Sequence, residues 1–259
     1  MPAGEGVKKV PLISKSFFLG RAKMSLFLGE FKKITDPDAV SIYLPPGAAV
    51  PEIEELLARI KLKPYPDELN EAITGSKRGT VLFWGEERKS LILPPLPFTK
   101  KTFFEGYVPE PLQELVESDT KIGLILVHLG SYAVGICQGE RLISSKVGTG
   151  LIHGRHKKGG SSQQRFQRRR QNRVQEFLDR VCDHVREQFE PQVNGLDYVV
   201  YGGGHQTILQ LQKRCPFLES LSDRVLPLMD VPALRQKVLE SAVSRLWSSH
   251  ITEWQEART

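Results

Sequence analysis

The chain predicts a mixed α/β (α+β) fold in two domains, and three observations carry that prediction. At 259 residues it is long enough to bury two cores of ordinary size. Three apolar runs, residues 122–129, 132–137 and 141–147, are separated only by Gly130-Ser131 and Gln138-Gly139-Glu140. Links that short reverse only adjacent strands, so an antiparallel meander is expected. Beyond residue 165 the apolar spacing changes to three and four, then to short runs bounded by glycine, as alternating helices and strands require.

Taken in order, residues 1–37 have a poor pattern, with Leu12, Ile13, Phe17, Phe18 and Leu19 ahead of Leu26, Phe27, Leu28 and Phe31. An amphipathic helix over 22–33 is expected there. A strand at 40–44 is stopped by Pro45-Pro46-Gly47, and Ile53, Leu56, Leu57 and Ile60 put one apolar face on a helix over 51–60. A second helix is expected at 66–73. Residues 80–84 and 89–93 flank Gly85-Glu86-Glu87 and read as a hairpin, ended by the prolines of 94–97. Pro109, Pro111 and the polar Glu117-Ser118-Asp119-Thr120 suggest a boundary, giving a small N-terminal α+β domain over 1–115 and a second domain over 120–255.

The second domain opens with the meander. Phe166, Val174, Phe177, Leu178, Val181, Val185 and Phe189 then define a long helix that ends before Pro191. Between Phe166 and Val174 the inward places fall to Arg169 and Arg170. Arginines cannot be buried unpaired, so the first turns should project from the body. A buried strand at 196–201, the turn Gly202-Gly203-Gly204, a helix at 206–214, a short strand at 225–229 and a helix from 232 to about 250 complete a β-β-β-α-β-α-β-α order. That order suits a mixed sheet with helices on its faces.

Composition excludes several classes. The hydrophobic content of 40% and charged content of 25% are those of a soluble globular chain. Cys137, Cys182 and Cys215 have neither metal-ligand spacing nor the even count of a disulfide framework, so a reducing cytoplasm is expected. No apolar run approaches the roughly 20 residues needed to span a bilayer, and the first residues lack an apolar leader core, so neither secretion nor membrane insertion is expected.

Charge is unevenly spread. Residues 141–175 contain ten Lys or Arg and no Asp or Glu, while the whole chain is +6, so the rest sums to −4. Clustered cations without acidic partners repel one another unless something negative is nearby, and phosphate backbone is the obvious counterpart. The plainer reading is a solvated loop ahead of an arginine-rich helix. Within the block, Gly159-Gly160-Ser161-Ser162-Gln163-Gln164 forms a polar tip between two basic arms.

The order Gly-Arg, Gly-Gly, a glutamine-containing turn and then Arg165-Phe166 with Arg168 and Arg170 resembles the middle domain of eukaryotic and archaeal class 1 release factors. Their Gly-Gly-Gln places glutamine where Ser161 stands here. The spacing Gly160-Ser161-Ser162-Gln163 is instead similar to the Gly-x-x-Gln tip of a divergent branch, the Vms-type peptidyl-tRNA hydrolases of ribosome quality control. The resemblance covers about residues 120–250 well and 38–110 loosely. It implies an RNase-H-like core with a projecting glycine-rich catalytic loop and long helix. It also implies codon-independent hydrolysis of peptidyl-tRNA on stalled large ribosomal subunits, since no Asn-Ile-Lys-Ser stop-codon motif is present.

On that resemblance Gln163, with Gly159, Gly160 and Gln164, is the catalytic set. Arg155, Lys157, Lys158, Arg165, Arg168, Arg169, Arg170 and Arg173 face RNA. No metal and no cofactor is implied. The partners are the large subunit and its P-site peptidyl-tRNA, with no membrane and a monomeric chain. Glutamine does not titrate, so it cannot be a general base, but its amide can orient water and stabilise a developing oxyanion. Gly159 and Gly160 would let the backbone approach closely. Other chemistries fit less well. Ser161 and Ser162 read as helix caps, and no Gly-x-Ser-x-Gly elbow is present. His153 and His156 sit in the basic arm, and His205 follows a glycine turn that lacks dinucleotide-binding spacing. A metal nuclease would need several carboxylates, whereas only Glu140 and Asp197 lie near the expected sheet. The alternative reading is a non-catalytic ribosome or RNA-binding factor on the same fold.

Overall fold

The computed structural model describes residues 12–48, 50–58, 66, 68–152, 162–231 and 237–256. One unit runs to Ser118 and resumes at Trp247, and the other is Asp119–Leu246. Each contains its own sheet.

In chain order the first unit contains β1 (Leu12–Leu19), α1 (Arg21–Phe31), β2 (Val40–Leu44), α2 (Val50–Ala58), α3 (Glu68–Gly75), β3 (Thr80–Trp84), β4 (Lys89–Leu93), β5 (Thr102–Glu105) and α4 (Glu110–Glu117). Its sheet has the order β1-β10-β4-β3-β2-β5, where β10 (Ser249–Glu256) comes from the end of the chain, and every pairing is antiparallel. The sequences Val-Ser-Ile-Tyr-Leu of β2 and Thr-Val-Leu-Phe-Trp of β3 are buried throughout. Because alternate side chains leave a strand on opposite sides, such strands need cover on both faces. Val40, Ile42, Leu44, Leu82 and Trp84 accordingly pack with α2 and α3. Tyr43, Val81 and Phe83 pack with α1 and α4. The β3–β4 turn is held by Arg88, whose guanidinium pairs with Glu30 and Glu253, each at 2.8 Å, and lies over the Phe27 and Phe31 rings at 4.4 and 4.6 Å.

Several elements here differ from the sequence expectation. β1 has no clean alternation because it is a mostly exposed edge strand. α4 occupies the stretch expected as a boundary, and β5 lies where the sequence reading placed no element. The helix expected to run to about residue 250 stops at Leu246, and β10 then pairs with β1 and β4. The first unit thus resumes at Trp247. Ile251 and Trp254 bury into opposite faces of the first unit's sheet, and this closes that sheet with residues more than 150 positions from their β4 partners.

The second unit contains β6 (Lys121–His128), β7 (Ser131–Gln138), β8 (Arg141–Thr149), α5 (Ser162–Phe189), β9 (Tyr198–Gly203), α6 (His205–Arg214) and α7 (Lys237–Leu246). The three-strand meander is present, and β9 adds to it in parallel beside β6, giving the mixed order β8-β7-β6-β9. The expected strand at 225–229 is reduced to two isolated parallel bridges, Val199 to Val225 and Gly202 to Met229. One sheet face, with Ile125, Val127, Val134, Ile136, Val199 and Tyr201, packs under α5 and α6. α7 rests against β7 and β8.

Two glycines seat the long helix. A Cβ on Gly123 or on Gly150 would come within 2.6 Å of the Phe189 ring or the Phe177 ring respectively. Both rings are fully buried, so the absent side chains are what let α5 lie close to the meander. Gly123→Ala should destabilise this unit by about 1–3 kcal/mol, because overpacking outweighs the roughly 0.4–1 kcal/mol gained from a less flexible unfolded chain. Urea unfolding checks this, and a midpoint equal to or above wild type would show that Phe189 is not seated there.

Candidate nucleic-acid interface

α5 is two helices in composition. From Val174 onward the spacing of three and four produces a stripe, Val174, Phe177, Leu178, Val181, Cys182, Val185 and Phe189, that enters the core. The preceding residues, 162–173, contain five arginines and no acid, whereas 174–189 contains two arginines and four acids. Residues 164–173 are exposed apart from the half-buried Arg170. Those ten residues at 1.5 Å each make a segment of about 15 Å that, Arg170 aside, the core does not grip.

The electrostatics of this segment run against helix stability. A helix N-terminus behaves as roughly half a positive charge, so cations in the first turns are disfavoured and acids are favoured. Here the first turn has no acidic residue, and Arg165 through Arg173 add five positive charges. Such an arrangement is relieved by an external anion.

The structure places the expected residues unevenly. Arg155, Lys157, Lys158, Gly159 and Gly160 lie outside the described residues, as do Ser161, His153 and His156. Gln163 belongs to the first turn of α5, and its side chain is likewise outside the described set. Gln164, Arg165, Arg168, Arg169 and Arg173 are exposed on the helix. The apolar spacing predicts Arg169 on the inward side, but it faces solvent, and Arg170 alone of that pair turns partly toward the body. The geometry thus brings together five arginines and Gln164, with Gln163 one residue before it.

The base of the projecting helix is fastened by features that sequence reading missed. Cys182 and Cys215, expected to be unpaired thiols, form a disulfide with Cα atoms 5.4 Å apart. The local reason is that α6 lies against α5, so two cysteines distant in sequence meet in the core. Beside it, Arg214 makes a two-pronged pair with Asp179, the Nη2–Oδ2 contact being 2.8 Å. Asp179 and Cys182 are three apart, and Arg214 and Cys215 are adjacent, so both links join the same stretches. Cys137 remains a thiol, and burial pushes its pKa up to about 12, which leaves it unreactive.

Other candidate chemistries find little support. The Asp197 carboxylate accepts the backbone N–H of Lys121 at 2.8 Å, a structural task at the start of β6. His205 is the exposed first residue of α6. Among the described residues, no three His, Cys, Asp or Glu side chains are grouped to hold a metal ion, and no helix is long and apolar enough to cross a membrane.

Comparison with known proteins identifies the class as that of the translation release factors. The chain is similar to peptide chain release factor subunit 1 of Aeropyrum pernix, with 27% identity over 203 residues, covering 67% of this chain and 54% of that protein. It is also similar to the same subunit of Saccharolobus solfataricus, with 29% identity over 218 residues, covering 72% of this chain and 59% of that one. Residues 120–252, just over half of the chain, match the family model described as the Actinobacteria/chloroflexi VLRF1 release factor, and the chain belongs to that family. It spans a little over half the length of these two relatives. Among solved structures, an archaeal translation termination factor aligns at TM-score 0.39 and 18% identity over 88% of this chain and 73% of that one. The Vms1 mitochondrial localization core aligns at TM-score 0.41 and 13% identity over 77% and 87%.

The disulfide yields a stability prediction. A cross-link across 33 residues removes about 3–4 kcal/mol of unfolded-chain entropy. The Cys182→Ala, Cys215→Ala double variant should therefore unfold at markedly lower urea, and reductant should bring wild type toward the variant. Equal midpoints in the absence of reductant would mean that the bond is not formed.

Proposed function

We propose that this chain is a peptidyl-tRNA hydrolase that frees nascent chains from stalled large ribosomal subunits without reading a codon. The observation that carries the reading is the arginine-rich, ungripped start of α5, which has Gln163 in its first turn directly after Gly159-Gly160-Ser161-Ser162. Family membership supports the release-factor part of the reading. The finer assignments, two domains divided near residue 119, a cytoplasmic monomer, and large-subunit RNA with P-site peptidyl-tRNA as partners, belong to the same proposal; the cytoplasmic assignment rests on family membership, since the Cys182–Cys215 disulfide removes the free-thiol argument for it.

The chemistry is attack of water on the ester carbonyl that joins the peptide to the tRNA 3′ end. The C–O bond to the tRNA breaks, the peptide leaves as a carboxylic acid and the tRNA regains its hydroxyl. Charge develops on the carbonyl oxygen in the tetrahedral state. Gln163 orients the water and donates to that oxygen, and being non-ionisable it keeps this role across pH. Arg155, Lys157, Lys158, Arg165, Arg168, Arg169, Arg170 and Arg173 hold the tip against phosphate, and Gly159 and Gly160 allow close approach.

Gln163→Ala should lower peptide release from isolated large-subunit peptidyl-tRNA complexes by about 100- to 1,000-fold, the usual cost of one preorganised donor. Binding should stay near wild type, and Gln164→Ala should lose less. The outcome that sinks the catalytic reading is wild-type release by both variants, which would leave a binding factor in which Ser161 stands in place of the family's usual glutamine. A loss confined to Gln164→Ala would move the catalytic position by one residue.

Binding has its own test. Reversing the exposed Arg168, Arg169 and Arg173 to Glu should flatten the salt dependence of large-subunit association by about one unit of slope for each phosphate no longer neutralised. Helix content should hold or rise, because acids suit the first turns. Co-sedimentation that is unchanged across a salt series would remove these arginines from the interface.

A further inference from the structure

Among the arginines at the start of α5 stands one large apolar side chain. Phe166 is 62% exposed and has no aromatic partner among the described residues. It lies eight residues ahead of Val174, about 12 Å along the helix axis, so it cannot reach the stripe that anchors α5 in the core. The exposed Arg169 and Arg173 follow it by three and seven residues, which puts their side chains on the flank that Phe166 occupies. An aromatic face bordered by guanidinium groups and free of acids is the combination that holds an unpaired base between its phosphates. A base in an A-form duplex has both faces already stacked and its neighbours in a groove that side chains cannot enter. The complementary ligand is therefore single-stranded.

We propose that Phe166 is a stacking platform for a splayed nucleobase of single-stranded RNA, with the exposed Arg169 and Arg173 engaging the phosphates beside it. This rests on the reading of α5 as an RNA-facing helix, and it adds that the bound element is unpaired and is gripped through a base as well as its backbone. Stacking is tolerant of base identity because every base has a π-face, so Phe166 contributes affinity and placement without sequence preference. It is a positioning residue for the release reaction and takes no part in bond breaking.

The test uses the full chain, a single-stranded RNA of about ten nucleotides, and an abasic strand of the same length that keeps the phosphates and lacks bases. Wild type should prefer the base-bearing strand by roughly 5- to 150-fold, the range that stacking on one aromatic side chain covers. Phe166→Leu should abolish that preference while keeping affinity for the abasic strand and its salt dependence. Phe166→Trp should keep the preference and lose fluorescence on binding, a signal set apart from the native tryptophans because Trp84, Trp247 and Trp254 are at most 4% exposed. A wild-type preference that survives Phe166→Leu overturns the proposal, as does equal binding of the two strands or binding of neither. The hydrolase reading is judged separately by Gln163→Ala on peptidyl-tRNA, so either idea can fail alone.

Discussion

The packing of α5 against the β6–β8 meander is the contact on which the rest of the second unit depends. Phe177, Val181, Val185 and Phe189 enter the core with Ile125, Val134 and Ile136, and Gly123 and Gly150 remove the side chains that would hold the helix away. Because sixteen residues of this helix are gripped, the exposed residues 164–169 and 171–173 can stay helical without burial. An isolated arginine-rich segment of that length would be marginal as a helix in water, since nucleation is costly and propensity alone is weak. Here the nucleus comes from the buried half, and the exposed half extends it one hydrogen bond at a time.

The fastening at the base follows the same logic. The Cys182–Cys215 bond and the Asp179–Arg214 pair both act just behind the point where burial begins. The covalent link constrains the unfolded chain and is sheltered in the core, with Cys182 and Cys215 both buried. The exposed ion pair adds orientation more than stability, because solvent screens it. A lever loaded with like charges at its tip needs such fixing if it is to meet a ligand at a defined angle. Charge segregation along α5 has the complementary effect: the acids Glu176, Asp179, Asp183 and Glu187 lie on the gripped half, and Arg165, Arg168, Arg169 and Arg173 are exposed on a half that contains no acid.

Legibility in the sequence tracks locality. The meander, the β3–β4 hairpin and α5 are readable because their periodicity or turn residues lie within a short window. The projecting start of α5 is readable as well, since Arg169 and Arg170 break the apolar stripe. What is not readable depends on partners far away. β1 and β10 take their strand character from each other, with Phe17 opposite Ile251, and neither has an alternating pattern of its own. Three cysteines suggest free thiols because sequence cannot say that α6 returns to α5. Phe166 fits the buried stripe by spacing and reads as its first member. Its own exposure of 62% places it outside that stripe, which enters the core only from Val174, eight residues later.

The position of Gln163 within a helical first turn has a chemical consequence for the proposed reaction. The first four N–H groups of a helix have no partner inside it, so those of the first turn, Gln163's included, point out along the axis from the end that carries the positive pole. On the proposed reading the oxyanion would meet two kinds of donor there, a glutamine amide and backbone N–H groups. Substituting alanine removes the first and leaves the second. Backbone donors cannot be mistaken for acid–base groups and do not depend on which of two adjacent glutamines is used. A tip whose glutamine stands two residues later than in Gly-Gly-Gln can therefore retain the electrostatic part of the site as long as the helix begins where it does. In that sense the anchoring of α5 would serve the proposed chemistry: whatever sets the first helical residue also sets which N–H groups lack a partner within the helix.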